Sequence, residues 1–297
     1  MKWQGVIPAA TTAFKPDLSV DHEFVARHVT WLVQNGCTGI VALGSLGEGA
    51  TLSFDEKVEV LETCISALKG RANVVAGISS LSTAEAVRMA ERAAEIGCDG
   101  LMVLPPYVYS TDWREMKAHV QAILCSTSLS CMLYNNPIAY GTDFLPEQIA
   151  ELAAEHPNLH AVKESSADIR RITSIRTMLG DRLAISVGVD DVIVEGIRAG
   201  ATGWIAGLVN ALPRESVALF NEGMGGAGEK VLKLYQWFLP LLRMDTGPKF
   251  VQLIKLVQAE VGMGNARVRP PRLELEGNEL NEALRTIREA LANRPKL

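Results

Sequence analysis

The chain alternates short, unbroken apolar runs with longer stretches whose apolar positions recur every three or four residues. Eight runs stand out, at 5–10, 39–45, 73–78, 100–104, 130–135, 159–163, 184–188 and 203–207, each apolar or β-branched along most of its length. Such runs predict strands buried on both faces. Their ends advance by about 28 residues at a time, the length of one strand plus one crossover helix. The stretches between them read as helices. In 55–68, Val58, Leu61, Ile65 and Leu68 share a face, and Ser53 with Glu56 three residues on forms a capping box. In 82–96, Ser82 or Thr83 caps the helix, and Ala86, Val87, Ala90, Ala93 and Ala94 form the apolar face. Gly36, Gly97 and Gly200 stand shortly before the next strand, where a left-handed helix end turns the chain back.

Eight strand–helix units in series predict an α/β fold, a (β/α)8 TIM barrel, over residues 1–220. Beyond Pro213 strands cease, and 231–242, 246–261 and 278–293 are periodic. Residues 221–297 are therefore expected to form a C-terminal helical region packed on the barrel, with a Pro/Gly/Arg connector at 262–277. The glycine-rich stretch from Gly223 to Lys230 fails as a phosphate loop, because Glu229 follows Gly228 and no strand precedes it. It reads as a turn between helices.

Composition changes this picture little. At 297 residues, 48% apolar and 21% charged, the chain is not a disordered or fibrous one. No window holds the roughly 18 unbroken apolar residues of a membrane span. The opening Met1-Lys2-Trp3-Gln4-Gly5 lacks a signal-peptide pattern, so a cytoplasmic protein is expected. A net charge of −5 without a basic stripe argues against nucleic acid or a membrane as partner. The cysteines at 37, 64, 98, 125 and 131 form no CxxC pair and are expected to be reduced and mostly buried. His156 and His160 are four apart, but Pro157-Asn158 between them reads as a turn. A surface role is expected for both, and no metal site.

In such a barrel, chemistry gathers at the C-terminal strand ends. Alternation along 159–163 puts Leu159, Ala161 and Lys163 on one face. If that face is inward, Lys163 loses hydration, its pKa falls, and the amine becomes a nucleophile toward carbonyl carbon. The alternative is a lysine that caps the strand and reaches solvent. Tyr134, in register with Met132, is placed to shuttle a proton or simply to pack. Gly44-Ser45-Leu46-Gly47-Glu48 offers amides and a hydroxyl at a loop leading to a helix, a place to hold a carboxylate. Together these suggest imine chemistry on a small 2-oxo or 2-imino acid.

At these residues the chain resembles the Schiff-base lyases typified by dihydrodipicolinate synthase and N-acetylneuraminate lyase. The likeness spans nearly the whole chain. It rests on Gly44-Ser45-Leu46-Gly47-Glu48, Tyr134-Asn135-Asn136-Pro137, Val162-Lys163-Glu164, the turn from Gly188 to Asp191, and Gly203-Trp204-Ile205. The resemblance implies that Lys163 forms the imine, Tyr134 transfers protons, and Ser45 with the Leu46 amide holds the substrate carboxylate. It brings Gly188, Ile205, Asn136, Ala139 and Tyr140 to the substrate pocket, requires no cofactor, and implies a homotetramer.

The sequence departs from the synthase pattern at three places. Leu46 stands where the synthase has a hydroxyl residue. Ala139 replaces an arginine that grips a second carboxylate. Val108 stands for a tyrosine lent across the dimer interface, although Tyr107 beside it offers a substitute and Tyr109 follows. The combination looks most like the hydroxyproline-degrading branch, which deaminates 1-pyrroline-4-hydroxy-2-carboxylate to 2-oxoglutarate semialdehyde and ammonia. The alternatives are an aldolase or dehydratase of a 2-keto-3-deoxy sugar acid, the synthase itself, and a non-catalytic keto-acid-binding barrel. A polyhydroxylated substrate needs hydrogen-bonding side chains, and Leu46, Ile138, Ala139 and Trp204 offer few.

Overall fold

In the computed structural model, which describes residues 1–106, 112–226 and 228–297, eight parallel strands form the core. They are β1 (Gly5–Pro8), β2 (Gly39–Ala42), β3 (Asn73–Ile78), β4 (Gly100–Val103), β5 (Ser130–Asn135), β6 (Leu159–Glu164), β7 (Ala184–Val187) and β8 (Gly203–Ala206). Neighbours in sequence are neighbours in the sheet, and β8 pairs with β1. Closure comes between β1 and β2, where the Thr38 N–H donates to Val6 O at 3.0 Å and the Ala10 N–H to Val41 O at 2.8 Å. The expected TIM barrel is thus formed, each strand falling within or one residue beyond its apolar run.

Helices α1 (His22–Gln34), α2 (Phe54–Leu68), α3 (Thr83–Glu95) and α4 (Trp113–Cys125) follow the first four strands. After β5 come a single turn, α5 (Pro137–Tyr140), and then α6 (Pro146–Glu155); α7 (Ile169–Leu179), α8 (Ile193–Arg198) and α9 (Pro213–Gly225) complete the ring. Local sequence sets their ends. Ser53 and Glu56 make the capping box on α2, and Asp21, Ser82, Asp112 and Asp168 cap α1, α3, α4 and α7. Each such cap is worth about 1 kcal/mol. Gly36, Gly97 and Gly200 take positive φ at the helix ends. Helix α9 runs through the expected boundary at 220 and ends only at Gly225, so Gly223–Gly225 belongs to a helix and not to a turn.

Three further helices follow: α10 (Glu229–Leu242), α11 (Phe250–Glu260) and α12 (Gly277–Ala292). The helix expected from residue 246 begins four residues later, because Arg243–Asp245 forms a separate 3-10 turn. Helix α11 buries polar as well as apolar side chains: Gln252, Lys255 and Gln258 are all below a tenth exposed. Two of these polar groups reach the barrel. Gln258 meets the Thr11 hydroxyl at 2.9 Å, and the Lys255 ammonium donates to Glu48 and to Arg267 O. Helix α12 packs on α10, with the Trp237 indole N–H donating to Ala290 O at 2.9 Å.

Cys37, Cys64, Cys98 and Cys131 are buried and unpaired, and burial pushes their thiols up to about 12; Cys125 is exposed. His160 is exposed, but His156 is buried at the end of α6, contrary to the surface role expected of it. Its ring is covered because the chain folds back there between α6 and β6. Among the described residues no helix is long and apolar enough to cross a membrane.

Candidate active site

Strand register brings the central residues together. Tyr134 pairs with Lys163, Lys163 with Ser186, and Ser186 with Gly203, so these four share one face across β5 to β8. Lys163 is 6% exposed and its ammonium nitrogen lies 4.0 Å from the centre of the Tyr134 ring. The lysine therefore points inward, not along the strand to solvent. The Ser186 and Ser165 hydroxyls are buried with no hydrogen-bond partner among the described residues. Gly188 is pressed against this group: a Cβ there would lie 1.9 Å from Ser165 Oγ and 2.6 Å from Lys163 Cε. Only glycine leaves room for the lysine arm.

Tyr134 is held from two sides. Asn136 Nδ2 donates to its hydroxyl at 2.9 Å, while Asn136 Oδ1 accepts from the Ala139 N–H at 3.0 Å. Both ends of the Asn136 amide are thus engaged within the protein, and it orients the tyrosine. Tyr140 packs edge-on to Tyr134 with ring centres 5.9 Å apart, and its hydroxyl bonds Ser45 Oγ. A continuous Asn136–Tyr134–Tyr140–Ser45 line therefore connects β5 to the loop after β2. Ala139 and Ile138 lie exposed on α5.

The loop after β2 is folded by unusual backbone. Leu43 and Glu48 both adopt left-handed conformations, at φ 65° and 53°, which costs free energy that packing around the loop must offset. The result is a concave run of donors. The amides of Ser45, Leu46 and Gly47 make no hydrogen bond among the described residues, although the next two, Glu48 and Gly49, bond back to Ser45 O and Gly44 O. Glu48 anchors the loop from below. It is 1% exposed, accepts from Lys255 and receives the Arg269 N–H at 2.9 Å.

Two buried carboxyls lie at the ends of β6 and β7. Burial raises the Glu164 carboxyl, opposed by the Ser166 N–H at 2.6 Å and by Asn135 Nδ2 at 3.1 Å. Asn135 also clasps Phe144 through both backbone groups, fixing the segment beyond α5. Asp190, wholly buried, is raised to about 6 by loss of water. The amides of Gly207 and Leu208, the Trp204 indole N–H at 2.9 Å and the charge of Lys163 all oppose that rise. Trp204 faces away from Ile205 on β8 and is spent on Asp190, so it does not line the cup as the sequence suggested. Ile205 shares the inward face with Gly203 and is 1% exposed. Tyr107, Val108 and Tyr109 lie outside the described residues.

The profile of the Dihydrodipicolinate synthetase family matches residues 2–290. The chain belongs to that family. It is a class I lyase of that family, and several of its curated relatives carry the name 4-hydroxy-tetrahydrodipicolinate synthase. One from Chelativorans sp. (strain BNC1) is 35% identical over 80% of this chain and 82% of its own length. One from Geotalea uraniireducens is 32% identical over 91% of this chain and 92% of its own. Among solved structures, dihydrodipicolinate synthase from Aquifex aeolicus superposes with a TM-score of 0.92 at 28% identity, covering 98% of both chains. A Bacillus anthracis dihydrodipicolinate synthase gives 0.93 at 26% identity over the full length of both.

Sequence reasoning overlooked two parts of this site. The bracing of Glu48 by Lys255 spans 207 residues and leaves no local signal. Asp245 reads as an ordinary helix-start acid, yet its carboxylate reaches the end of β8, where a Cβ on Gly207 would lie 2.0 Å from Asp245 Oδ1.

Proposed function

We propose that the protein deaminates 1-pyrroline-4-hydroxy-2-carboxylate, a cyclic imino acid, through an imine on Lys163. The observation that carries this reading is the asymmetry of the cup's charge recognition. One carboxylate has a ready seat in the free amides of Ser45, Leu46 and Gly47 with the Ser45 hydroxyl. The segment from Ile138 to Gly141 offers no charged group for a second. Arg171, reaching the same segment, is committed to Asp143 through two hydrogen bonds at 2.5 and 2.8 Å. A small monocarboxylate without a second charge suits buried Leu46 and Ile205.

With the carboxylate on the β2 loop, the Lys163 amine adds to C2, and the ring nitrogen leaves C2 as an amine once the ring opens. Tyr134, fixed by Asn136, moves the protons this exchange requires. Removal of a C3 proton gives the enamine, and expulsion of the C4 hydroxyl as water follows. A proton shift then makes C5 an imine, and hydrolysis at C5 and at C2 releases ammonia, the semialdehyde and free Lys163. The sum is substrate plus one water giving 2-oxoglutarate semialdehyde plus ammonia. Lys163 is the electrophile-activating group, so no cofactor enters this scheme. The protein works as a cytoplasmic homotetramer, with no nucleic-acid or membrane partner.

A second reading, the synthase reaction, is favoured by the names of the relatives. One experiment separates the two: the protein is offered 1-pyrroline-4-hydroxy-2-carboxylate with 2-oxoglutarate semialdehyde dehydrogenase as the coupling enzyme, and separately pyruvate with aspartate 4-semialdehyde. Turnover in the first alone is expected. Turnover only in the second overturns the deaminase, and pyruvate release from a 2-keto-3-deoxy sugar acid with silence in both points to an aldolase.

A further inference from the structure

Asp245 comes from the 3-10 turn Arg243–Asp245, far outside the barrel sequence, yet reaches its mouth. Its carboxylate lies against Gly207 so closely that no side chain fits there. Two acids and one cation act on it from neighbouring strands: Asp190 and Asp191 after β7, and Lys163 on β6. The other acids of the mouth are committed. Asp190 receives the Trp204 indole and the Gly207 and Leu208 amides, Glu164 receives Ser166 and Asn135, and Asp191 faces Arg243 at 3.6 Å. Asp245 makes no hydrogen bond or ion pair among the described residues, and it is largely, though not wholly, out of water. Among the described residues it is the uncommitted carboxyl at this end of the barrel.

We propose that Asp245 is the general acid that protonates the C4 hydroxyl as it departs from the Lys163-bound substrate, an inference that rests on the deaminase reading above. In that step the enamine nitrogen of Lys163 pushes its electron pair through C2 and C3, C3=C4 forms, and the C4–O bond breaks. The Asp245 proton goes to the departing oxygen. Water leaves, and the products are an iminium on Lys163 and a carboxylate on Asp245. Neutral reactants thus become an opposed charge pair in a water-poor cup, where each charge stabilises the other. The surroundings favour this timing. Burial and the neighbouring Asp190 and Asp191 hold the Asp245 carboxyl well above the usual carboxylate range, against the pull of the Lys163 cation. Once Lys163 is a neutral enamine that pull is gone, and the proton is retained until the leaving group takes it. Tyr235, which reaches Asp191 O and Glu195, and Arg243 complete the titratable groups packed about the turn.

The test uses Asp245→Asn and two substrates, the 4-hydroxy compound and 4-chloro-1-pyrroline-2-carboxylate, whose chloride departs without a proton. With the hydroxy substrate, kcat is expected to fall by about 10²–10⁴. With the chloro compound it should stay within a few-fold of wild type, and borohydride trapping of pyruvate on Lys163 should be unchanged. Wild-type kcat should decline as pH rises through the Asp245 pKa, and the variant should lack that limb. Should Asp245→Asn fail to trap pyruvate, Asp245→Glu decides: retention of hydroxy-substrate turnover to within about tenfold supports the acid, and a loss as deep as that of Asn overturns it. Equal slowing on both substrates, or full activity of Asp245→Asn on the hydroxy compound, also overturns it. A wild-type protein inactive on the hydroxy compound would instead remove the deaminase reading and this step with it.

Discussion

The Lys255–Glu48 pair ties the helical extension to the loop that offers its amides to a carboxylate, and its removal should be felt both in stability and in binding. Lys255 is 2% exposed and Glu48 1%. The ammonium donates to Glu48 and to Arg267 O at 2.7 Å and lies 4.5 Å from the centre of the Phe14 ring. In Lys255→Met the aliphatic arm is kept and the charge is lost, leaving Glu48 with only the Arg269 N–H. Breaking such a pair on one side costs about 3–5 kcal/mol, because an uncompensated charge stays buried. Replacing both partners, in Lys255→Met with Glu48→Gln, should cost little more than one replacement, a coupling of about 2–3 kcal/mol. Urea unfolding followed by tryptophan fluorescence at fixed chain concentration measures all three variants. Borohydride trapping of pyruvate measures the loop, and a displacement of its amides by an ångström should slow trapping by up to about a hundredfold in the single variant. Single replacements that each cost under about 1 kcal/mol and add in the double variant would refute the reasoning.

Other expectations follow from the same site. Lys163→Ala should abolish turnover and borohydride trapping together, as mass spectrometry of the trapped protein will show. Tyr134→Phe should slow turnover by about 10²-fold or more yet still trap slowly, and near-wild-type rates would remove its role in proton transfer. Gly188→Ala places a methyl 2.6 Å from Lys163 Cε, so trapping should fail while the fold loses only about 1–3 kcal/mol by thermal melting. His28 is wholly buried, its Nε2 2.9 Å from Asn210 O, and burial lowers it to about 4. The unfolded chain takes up that proton near pH 6.5, so stability should be full above it and fall by about 3 kcal/mol as pH drops toward 4. In His28→Gln that acid limb should flatten, and an unchanged slope between those pH values would contradict the assignment.

The barrel was legible because strands buried on both faces must be apolar throughout, and because caps such as Ser53 and Ser82 announce helix starts in local sequence. Lys163 and Tyr134 were legible for a related reason: a period of two on adjacent strands sets a face, and their register confirms it. Trp204 was misjudged by one step of that same alternation, a difference no composition reveals. Asn136 was assigned to substrate, but a side-chain amide can serve a neighbouring tyrosine and a helix end at once. Glu48, Asp190 and Asp245 acquire their meaning only from partners brought close by closure of the barrel, and spacing along the chain carries no trace of that.

The pairing of β1 with β8 has a consequence for how the chain is made. Ile7 waits for Ile205, its partner in the closed barrel. At synthesis rates of about 5–20 residues per second, the first strand spends on the order of 10–40 s with one backbone edge unpaired. Throughout that time the nascent chain offers an apolar strand to any other exposed edge. Lys255 and Asp245 emerge later still, so the cup cannot acquire its floor or its proposed acid until synthesis is well into the last quarter of the polypeptide. A truncated product therefore presents a nearly complete barrel sequence without an organised site.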